Sequence, residues 1–511
     1  MKKLIAMPMK LRRLTKKEDQ NKFCVAQLKE EAMELKSQDS DFDQLLCALG
    51  NYEIYRDGEF WTEELNVWKR PLRPQAFKYT TFEEVGRDNL FNYSTFTLNR
   101  IATALYEQDF LYLPERGDSV LSHLKQAYNQ GLRSLSANLL PMIEKKLFSN
   151  LEKEIHVGGR WTKELFVKYL ANKLEPGSNS QVDSLDLISG SPEPKIIAKL
   201  LLMQHAVDFL PESSHMVRFA KGDFGEAQSA LFRVLLDEFG YGKHRAKHST
   251  LFKETLRSVG MYENSHAYWN FYLNSSLLNN NYFHMLTRSP ERFFEYVGAI
   301  TYAENSFGPY CGRVKSVLEK TFDKPDTRYY SEHVHIDGYH GNMTLNELLI
   351  PLAEKYGPDI YPEFVKGIEM ACMLQEIMEE DFKAQLEWMN KKNEFRELAM
   401  DIKADVLADI DNIPVANLNE PKGELSVPHV HDGDEFCIVD EGLLRFCHGP
   451  DSFSDLEPGQ CVVIAKNRLH GALVLSDRCK YRILSIGDFR KYGDLNNVKT
   501  GKSYDYEDYS I

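Results

Sequence analysis

His333, Asp337 and His340 stand at i, i+4 and i+7 within the stretch Ser331–His340. On a helix turning about 100° per residue they fall within roughly 60° of one another, so one face carries two imidazoles and a carboxylate. That donor set suits a borderline metal such as iron or zinc. The competing reading is a polar, solvated helix face. Glu332 and His335 point elsewhere, and what the rest of the chain brings to this face decides the matter.

Helical bundles build di-metal sites by pointing Glu, Asp and His inward from several helices. Glu212, Glu238, His248 and Glu304 join His333, Asp337 and His340 as candidates. Three histidines and four carboxylates could hold two iron ions. Four negative charges against two Fe(II) leave a site near neutrality, which makes burial tolerable, and open positions on such iron can bind O₂. Each residue also has an ordinary explanation. Glu238 follows Asp237 at a helix end, where it can be solvated, and His248 can be a satisfied helix histidine. Glu212, beside Pro211, can be a first-turn carboxylate favoured by the helix dipole. Glu212 also forms a Glu-x-x-His pair with His215, a spare candidate. The second Glu-x-x-His of a ferritin-like bundle is replaced here by Asp337-x-x-His340.

The elements that must position these groups are helical as far as residue 400. Runs at Phe23–Leu28, Asn99–Tyr106 and Val120–Lys125 carry no clustered ligands and read as a helical module for packing or dimer contact. Further helices are expected over 195–209, from Pro211–Glu212 onward, and over 224–239, the last with Leu231, Phe232, Leu235 and Leu236 inside and a stop at Gly240–Gly242. Another carries His244, His248, Leu251 and Phe252. Ser289–Pro290 starts a helix that reaches about Asn305 and includes Glu304. Asp326 caps the helix of His333, and a long helix spans 362–391. After Ile413–Pro414 come short β-branched runs at 436–439, 442–446, 461–464, 471–475 and 481–486, the pattern of a small sandwich or barrel. The predicted division is therefore residues 1–145, 146–400 and 401–511, α followed by β.

The bulk numbers are those of a globular chain of 511 residues, 43% hydrophobic and 27% charged. A net charge of −14 argues against a nucleic-acid surface. The eight cysteines show no CxxC spacing, which suggests neither a disulfide framework nor a zinc knuckle and points to a cytoplasmic home. The apolar run at the start, broken by Pro8, is too short for a signal h-region, and no 18-residue apolar run suggests a membrane span.

Two resemblances follow. Asp237-Glu238-Phe-Gly-Tyr-Gly-x₅-His248, then Glu304, then His333-x₃-Asp337-x₂-His340, resembles the haem-oxygenase-like di-iron oxidases and oxygenases. Gly423-x₅-His429-Val430-His431-x₃-Glu435-x₆-Gly442 fits the first cupin motif at every position. Gly459 and His470 fit the second, while Ala465, Asn467 and Val474 depart from it. His429 and His431 are two apart on a strand and so face one side. A three-histidine facial site leaves positions open for Fe(II) to meet O₂ or a chelating substrate. The alternatives are a degenerate cupin without metal or a sensory barrel. Glu435 is either a fourth ligand or a group orienting a histidine, and Cys437 and Cys461 read as core.

A helical module, a haem-oxygenase-like bundle and a C-terminal cupin β-barrel, in that order, resemble the N-nitrosourea-forming enzymes of natural-product biosynthesis. The resemblance implies iron ligands at Glu212, Glu238, His248, Glu304, His333, Asp337 and His340, for two ions. It implies a third ion at His429, His431 and His470. Glu238 would be the extra carboxylate of the N-oxygenating members. The implied reaction uses O₂ and an external electron donor to hydroxylate guanidine nitrogens of an N-methylated L-arginine, and then rearranges the product to an N-nitrosourea at the cupin. A homodimer is implied too, with no nucleic acid and no membrane among the partners. The rivals are a di-iron N-oxygenase or oxidative desaturase acting on another amino acid or amine with a non-catalytic cupin, and a metal or ligand sensor.

Overall fold

A computed structural model describes residues 40–56, 68, 70–113, 120–174 and 183–497. The helix expected around Phe23–Leu28 lies outside the described residues. The helices are α1 (Ser40–Leu49), α2 (Tyr93–Tyr106), α3 (Val120–Ala127), α4 (Gln130–Glu154), α5 (Lys163–Lys173), α6 (Asp183–Gly190), α7 (Pro194–Phe209), α8 (Glu226–Glu238), α9 (His248–Ser258), α10 (Asn274–Arg288), α11 (Phe293–Thr321), α12 (Arg328–Met343), α13 (Ile350–Tyr356), α14 (Tyr361–Asn390) and α15 (Lys392–Ala408). The chain divides into two compact units whose boundary falls inside α14, between Leu386 and Glu387. No helix among the described residues is long and apolar enough to cross a membrane.

In the helical unit, side-chain oxygens start several helices. Asn92 accepts from Thr95 N and Asn129 from Leu132 N, each satisfying an orphan donor of the first turn. From Thr95 to Tyr106 α2 is buried on every side and carries polar groups inward. These are satisfied by α10: Asn99 Nδ2 donates to Asn274 Oδ1 at 2.7 Å, and Thr103 Oγ1 to Asn281 Oδ1 at 2.8 Å. Buried amides are tolerable because they are paired.

Four local expectations are corrected. α11 does not stop near Asn305 but continues through Pro309 to Thr321. Phe232 faces solvent, because the buried stripe of α8 is Leu231, Val234, Leu235 and Glu238, the i, i+3, i+4, i+7 set. Glu212 does not open a helix but sits in a turn beyond α7. Its φ of 33° and that of Ser213, 48°, place two consecutive non-glycine residues in the left-handed region. His244 lies in a short 3₁₀ turn ahead of α9 rather than on it. Asp326 does receive the Arg328 N–H at 3.1 Å, one residue ahead of Thr327 at the N-cap.

The second unit is α15 and eight strands: β1 (Val415–Pro421), β2 (Leu425–His429), β3 (Asp434–Glu441), β4 (Leu444–Gly449), β5 (Ser452–Leu456), β6 (Cys461–Ile464), β7 (His470–Val474) and β8 (Arg478–Gly487). They form two four-stranded antiparallel sheets, β1-β8-β3-β6 and β2-β7-β4-β5, a cupin-like β domain. Five strands match the apolar runs read from sequence. β1, β2 and β5 are extra, being more polar or interrupted. Gly423, Gly442 and Gly459 take φ of 84°, 90° and 85°, the backbone that the motif glycines exist to supply. Asn467 stands in for a motif glycine at φ 60°, which asparagine tolerates better than other side chains.

Candidate metal centres

The structure gathers all ten candidate ligands into three groups, in each of which the donor atoms lie within 4.8 Å of one another. In the helical unit the first group is Glu212, Glu238, His248 and His333, and the second is Glu304, Asp337 and His340. The face of α12 read from the sequence is thus shared: His333 serves one group, Asp337 and His340 the other. His215 joins neither and packs beside Phe283 and His284.

Glu238 connects the two groups. Its Oε2 lies 2.7 Å from His248 Nδ1 and 3.9 Å from His333 Nε2, while its Oε1 lies 3.5 Å from His340 Nδ1. His340 Nδ1 is also 3.3 Å from Glu304 Oε2. Far from being solvated, Glu238 is 3% exposed. It is placed by the end of α8, where the chain turns through Gly240 (φ 60°) toward α9 and His248.

The histidines are aimed by their second nitrogen. His333 Nδ1 lies 2.9 Å from the Tyr329 carbonyl, one helical turn back. A carbonyl only accepts, so Nδ1 carries the proton and Nε2 presents its lone pair. Asp237 Oδ2 is 3.2 Å from His340 Nε2, and Tyr329 Oη donates to Glu212 Oε1 at 3.3 Å. Asp237 enters the sequence reading only as the neighbour of Glu238, and Tyr329 and Gly308 were not singled out. Tyr329 could have been, since i−4 from His333 shares its helix face. A Cβ on Gly308 would stand 3.2 Å from Asp337 Cβ, so glycine is what lets α11 and α12 approach there.

The electrostatics call for a cation. Burial, with Glu304 and Glu238 adding, pushes Asp337 up to about 9. Glu212 is driven well above the usual carboxylate range by burial, then by Glu238 and Asp208. Burial pushes Glu238 up as well, but His248, His333 and His340 outweigh it and hold it at about 2. Both Asp337 oxygens and Glu212 Oε2 are buried without a hydrogen-bond partner. Buried, unsatisfied carboxylate oxygens are costly unless a proton or a cation completes them. These residues fit iron.

In the β domain the third group is His429, His431 and His470. The register pairs His429 on β2 directly with His470 on β7. His429 Nδ1 is 2.8 Å from Val427 O and His470 Nδ1 2.9 Å from Arg468 O, so both rings again hold their proton on the backbone side. His429 Nε2 lies 2.9 Å from His431 Nε2. Glu435, on β3, brings Oε2 within 3.1 Å of His431 Nε2, and burial raises it to about 8. Phe446 stacks on the His470 ring. Cys437 and Cys461 are buried strand residues.

This is an iron-dependent oxidoreductase. Residues 199–376 match the haem-oxygenase-like family described as iron-containing redox enzymes. A nitrosourea synthase of Streptomyces achromogenes subsp. streptozoticus is 41% identical over 441 residues, 86% of this chain and 94% of that relative. The chain belongs to the nitrosourea synthase family.

Proposed function

We propose that this chain hydroxylates guanidine nitrogens of an N-methylated L-arginine at the helical cluster and rearranges the product to an N-nitrosourea at the three-histidine site. Iron, two ions in the helical cluster and one in the β domain, would supply the activation of O₂. The observation that carries the reading is the set of buried carboxylate oxygens of Asp337 and Glu212 without partners, ringed by histidines, in a chain so similar to a nitrosourea synthase.

The protein's own part is to hold and aim. Glu212, Glu238, His248 and His333 would hold one ion and Glu304, Asp337 and His340 the other, with Glu238 reaching both. Asp237 and the Tyr329 carbonyl keep the protons of His340 and His333 on the outer nitrogens. Burial excludes water from the carboxylates. Each N-hydroxylation with O₂ needs two electrons beyond those of the substrate, so an external donor belongs to the reaction. The first of three sequence domains, 1–145, would serve a homodimer, in line with the exposed Leu111, Leu113 and Leu121 it contains.

The test is to add Fe(II) anaerobically to the apoprotein, count iron per chain, then admit O₂ with an N-methylated arginine and a reductant and follow products by mass. About three irons per chain and mass gains in steps of one oxygen, ending in a nitrosated product, are expected for three such sites. One iron and no O₂ uptake would reduce the helical cluster to a structural feature.

A further inference from the structure

A row of aromatic side chains leads away from the Glu212–His333 end of the cluster. The Tyr329 ring centroid lies 4.3 Å from that of His333. Tyr330 meets Tyr329 edge to face at 5.2 Å. The Tyr330 hydroxyl is 2.8 Å from His205 Nδ1, and His205 Nε2 is 2.8 Å from the Tyr310 hydroxyl. Tyr329 and Tyr330 are fully buried, whereas Tyr310 is partly exposed and follows the exposed Pro309. The row thus runs from the metal-binding cluster toward solvent through α12, α7 and α11.

We propose that Tyr329, Tyr330, His205 and Tyr310 form a hole-transfer route that carries oxidising equivalents out of the helical cluster when O₂ has reacted without substrate, to be discharged at Tyr310 by a small reductant such as a thiol or ascorbate.

The chemistry follows from the contacts. A phenol gives up an electron readily only when its proton can leave with it. A buried tyrosine needs one hydrogen-bond partner, which any carbonyl could supply. Here two phenols instead share the two nitrogens of one imidazole. Burial lowers His205 to about 3, so the ring is neutral, with one nitrogen donating and the other accepting. A neutral imidazole can take a proton on one side as it releases one on the other. Tyr330 and Tyr329 meet ring to ring, a contact that an electron crosses and a proton does not. The row is therefore suited to electrons along its whole length and to proton relay through His205 at its outer end, while the inner Tyr329 hydroxyl is held on Glu212 Oε1.

Each event moves one electron. Tyr329 would give it up to the oxidised cluster and be refilled by Tyr330, and Tyr330 by Tyr310. Protons shift through His205, one leaves Tyr310 for water, and the hole ends as a tyrosyl radical at Tyr310. A thiol then returns one electron and one proton to that oxygen, and two thiyl radicals close to a disulfide.

The inference rests on the cluster being the iron site, and the experiment separates the two. Fe(II)-loaded full-length protein is mixed with O₂ without substrate, freeze-quenched and examined by electron paramagnetic resonance, with iron content and oxidation state measured on the same sample. Wild type is expected to give a tyrosyl signal that narrows with ring-deuterated tyrosine and decays faster with ascorbate. Tyr310→Phe, which removes only a hydroxyl, should hold its radical several-fold longer, lose the ascorbate effect and shift oxidative damage to Tyr329 and Tyr330 in peptide maps. Its first turnover with substrate should match wild type. Oxidised iron without a radical, or the same decay and damage pattern in Tyr310→Phe and Tyr330→Phe as in wild type, overturns the route and leaves the iron site standing. A sample that binds no iron overturns both.

Discussion

Asp237 Oδ2 lies 3.2 Å from His340 Nε2, on the side of the ring away from Glu304 and Glu238. A carboxylate on the outer nitrogen fixes the proton there and makes the inner nitrogen a better donor. Asp237→Asn keeps the size but loses the charge and can present an N–H to a nitrogen that already carries a proton. It is expected to weaken iron at Glu304, Asp337 and His340 by about 10–100-fold while the group around His248 still fills. Iron titration with a spectroscopic readout of each site checks this. Equal affinity in the variant would mean that Asp237 merely satisfies the ring.

Gly308 and Asp337 give a steric counterpart. A methyl at residue 308 would sit 3.2 Å from Asp337 Cβ and 3.5 Å from its Oδ2, both on packed helices. Gly308→Ala should cost about 1–3 kcal/mol of overpacking, offset in part by better helix propensity, and should displace the Asp337 carboxylate. The expected result is a folded protein with close to one iron fewer per chain. Full occupancy, measured by metal analysis after desalting, would show that α11 and α12 can separate without disturbing the ligand.

The charge arrangement sets a pH dependence. Burial and the charges of Glu304 and Glu238 raise Asp337 from 3.8 to about 9 in the metal-free protein. Burial lowers His340, but Glu304 and Glu238 outweigh it and bring it to about 10. Burial lowers His205, His215 and His333 and gives the opposite slope in acid, but above about pH 7 these rings are neutral in both states. From there to about 9 the folded chain keeps protons on Asp337 and His340 that the unfolded chain has lost, so apoprotein stability falls as pH rises. Iron must displace these protons, so its affinity rises with pH up to about 9. Loading in weak buffer at pH 7 should release protons, and fewer from Asp337→Asn. A thermal midpoint that climbs between about pH 7 and 9 in the apoprotein would contradict the sign.

The ligands of α12 were legible because their spacing is local, i, i+4 and i+7. The i, i+2 reading of His429 and His431 on one strand is corrected: β2 ends at His429, and His431 reaches the same point from the segment beyond it. How α12 divides its ligands between two groups was not legible, since it depends on where α8, α9 and α11 arrive. Asp237 was hidden by its neighbour. Adjacent helix residues point about 100° apart, and both reach the cluster only because α8 ends there. The helix expected to reach about Asn305 instead continues as α11 to Thr321, through Pro309 and past Gly308, which packs against Asp337 of α12. Phe232, apolar yet outside, shows the limit of reading burial from residue type alone.

The β domain offers the sharpest division of labour. The β2–β7 register places His429 opposite His470, and Val427 and Arg468 carbonyls aim both rings at the same point. His429→Ala removes one of three imidazoles and leaves His431, His470 and the buried Glu435, whose carboxyl burial raises to about 8 in the metal-free protein. The β site should lose its iron, and the helical cluster, in the other compact unit, should keep its own. With O₂, reductant and an N-methylated arginine, the N-hydroxylated intermediate should accumulate at near wild-type rate while nitrosated product falls by at least about 100-fold, the scale expected when one of three metal ligands is lost. Glu435→Gln should keep most of the product if Glu435 only orients His431, and lose it as fully as His429→Ala if Glu435 binds the ion. Unchanged nitrosourea formation by His429→Ala would move the rearrangement to the helical cluster and leave the β domain a binding role.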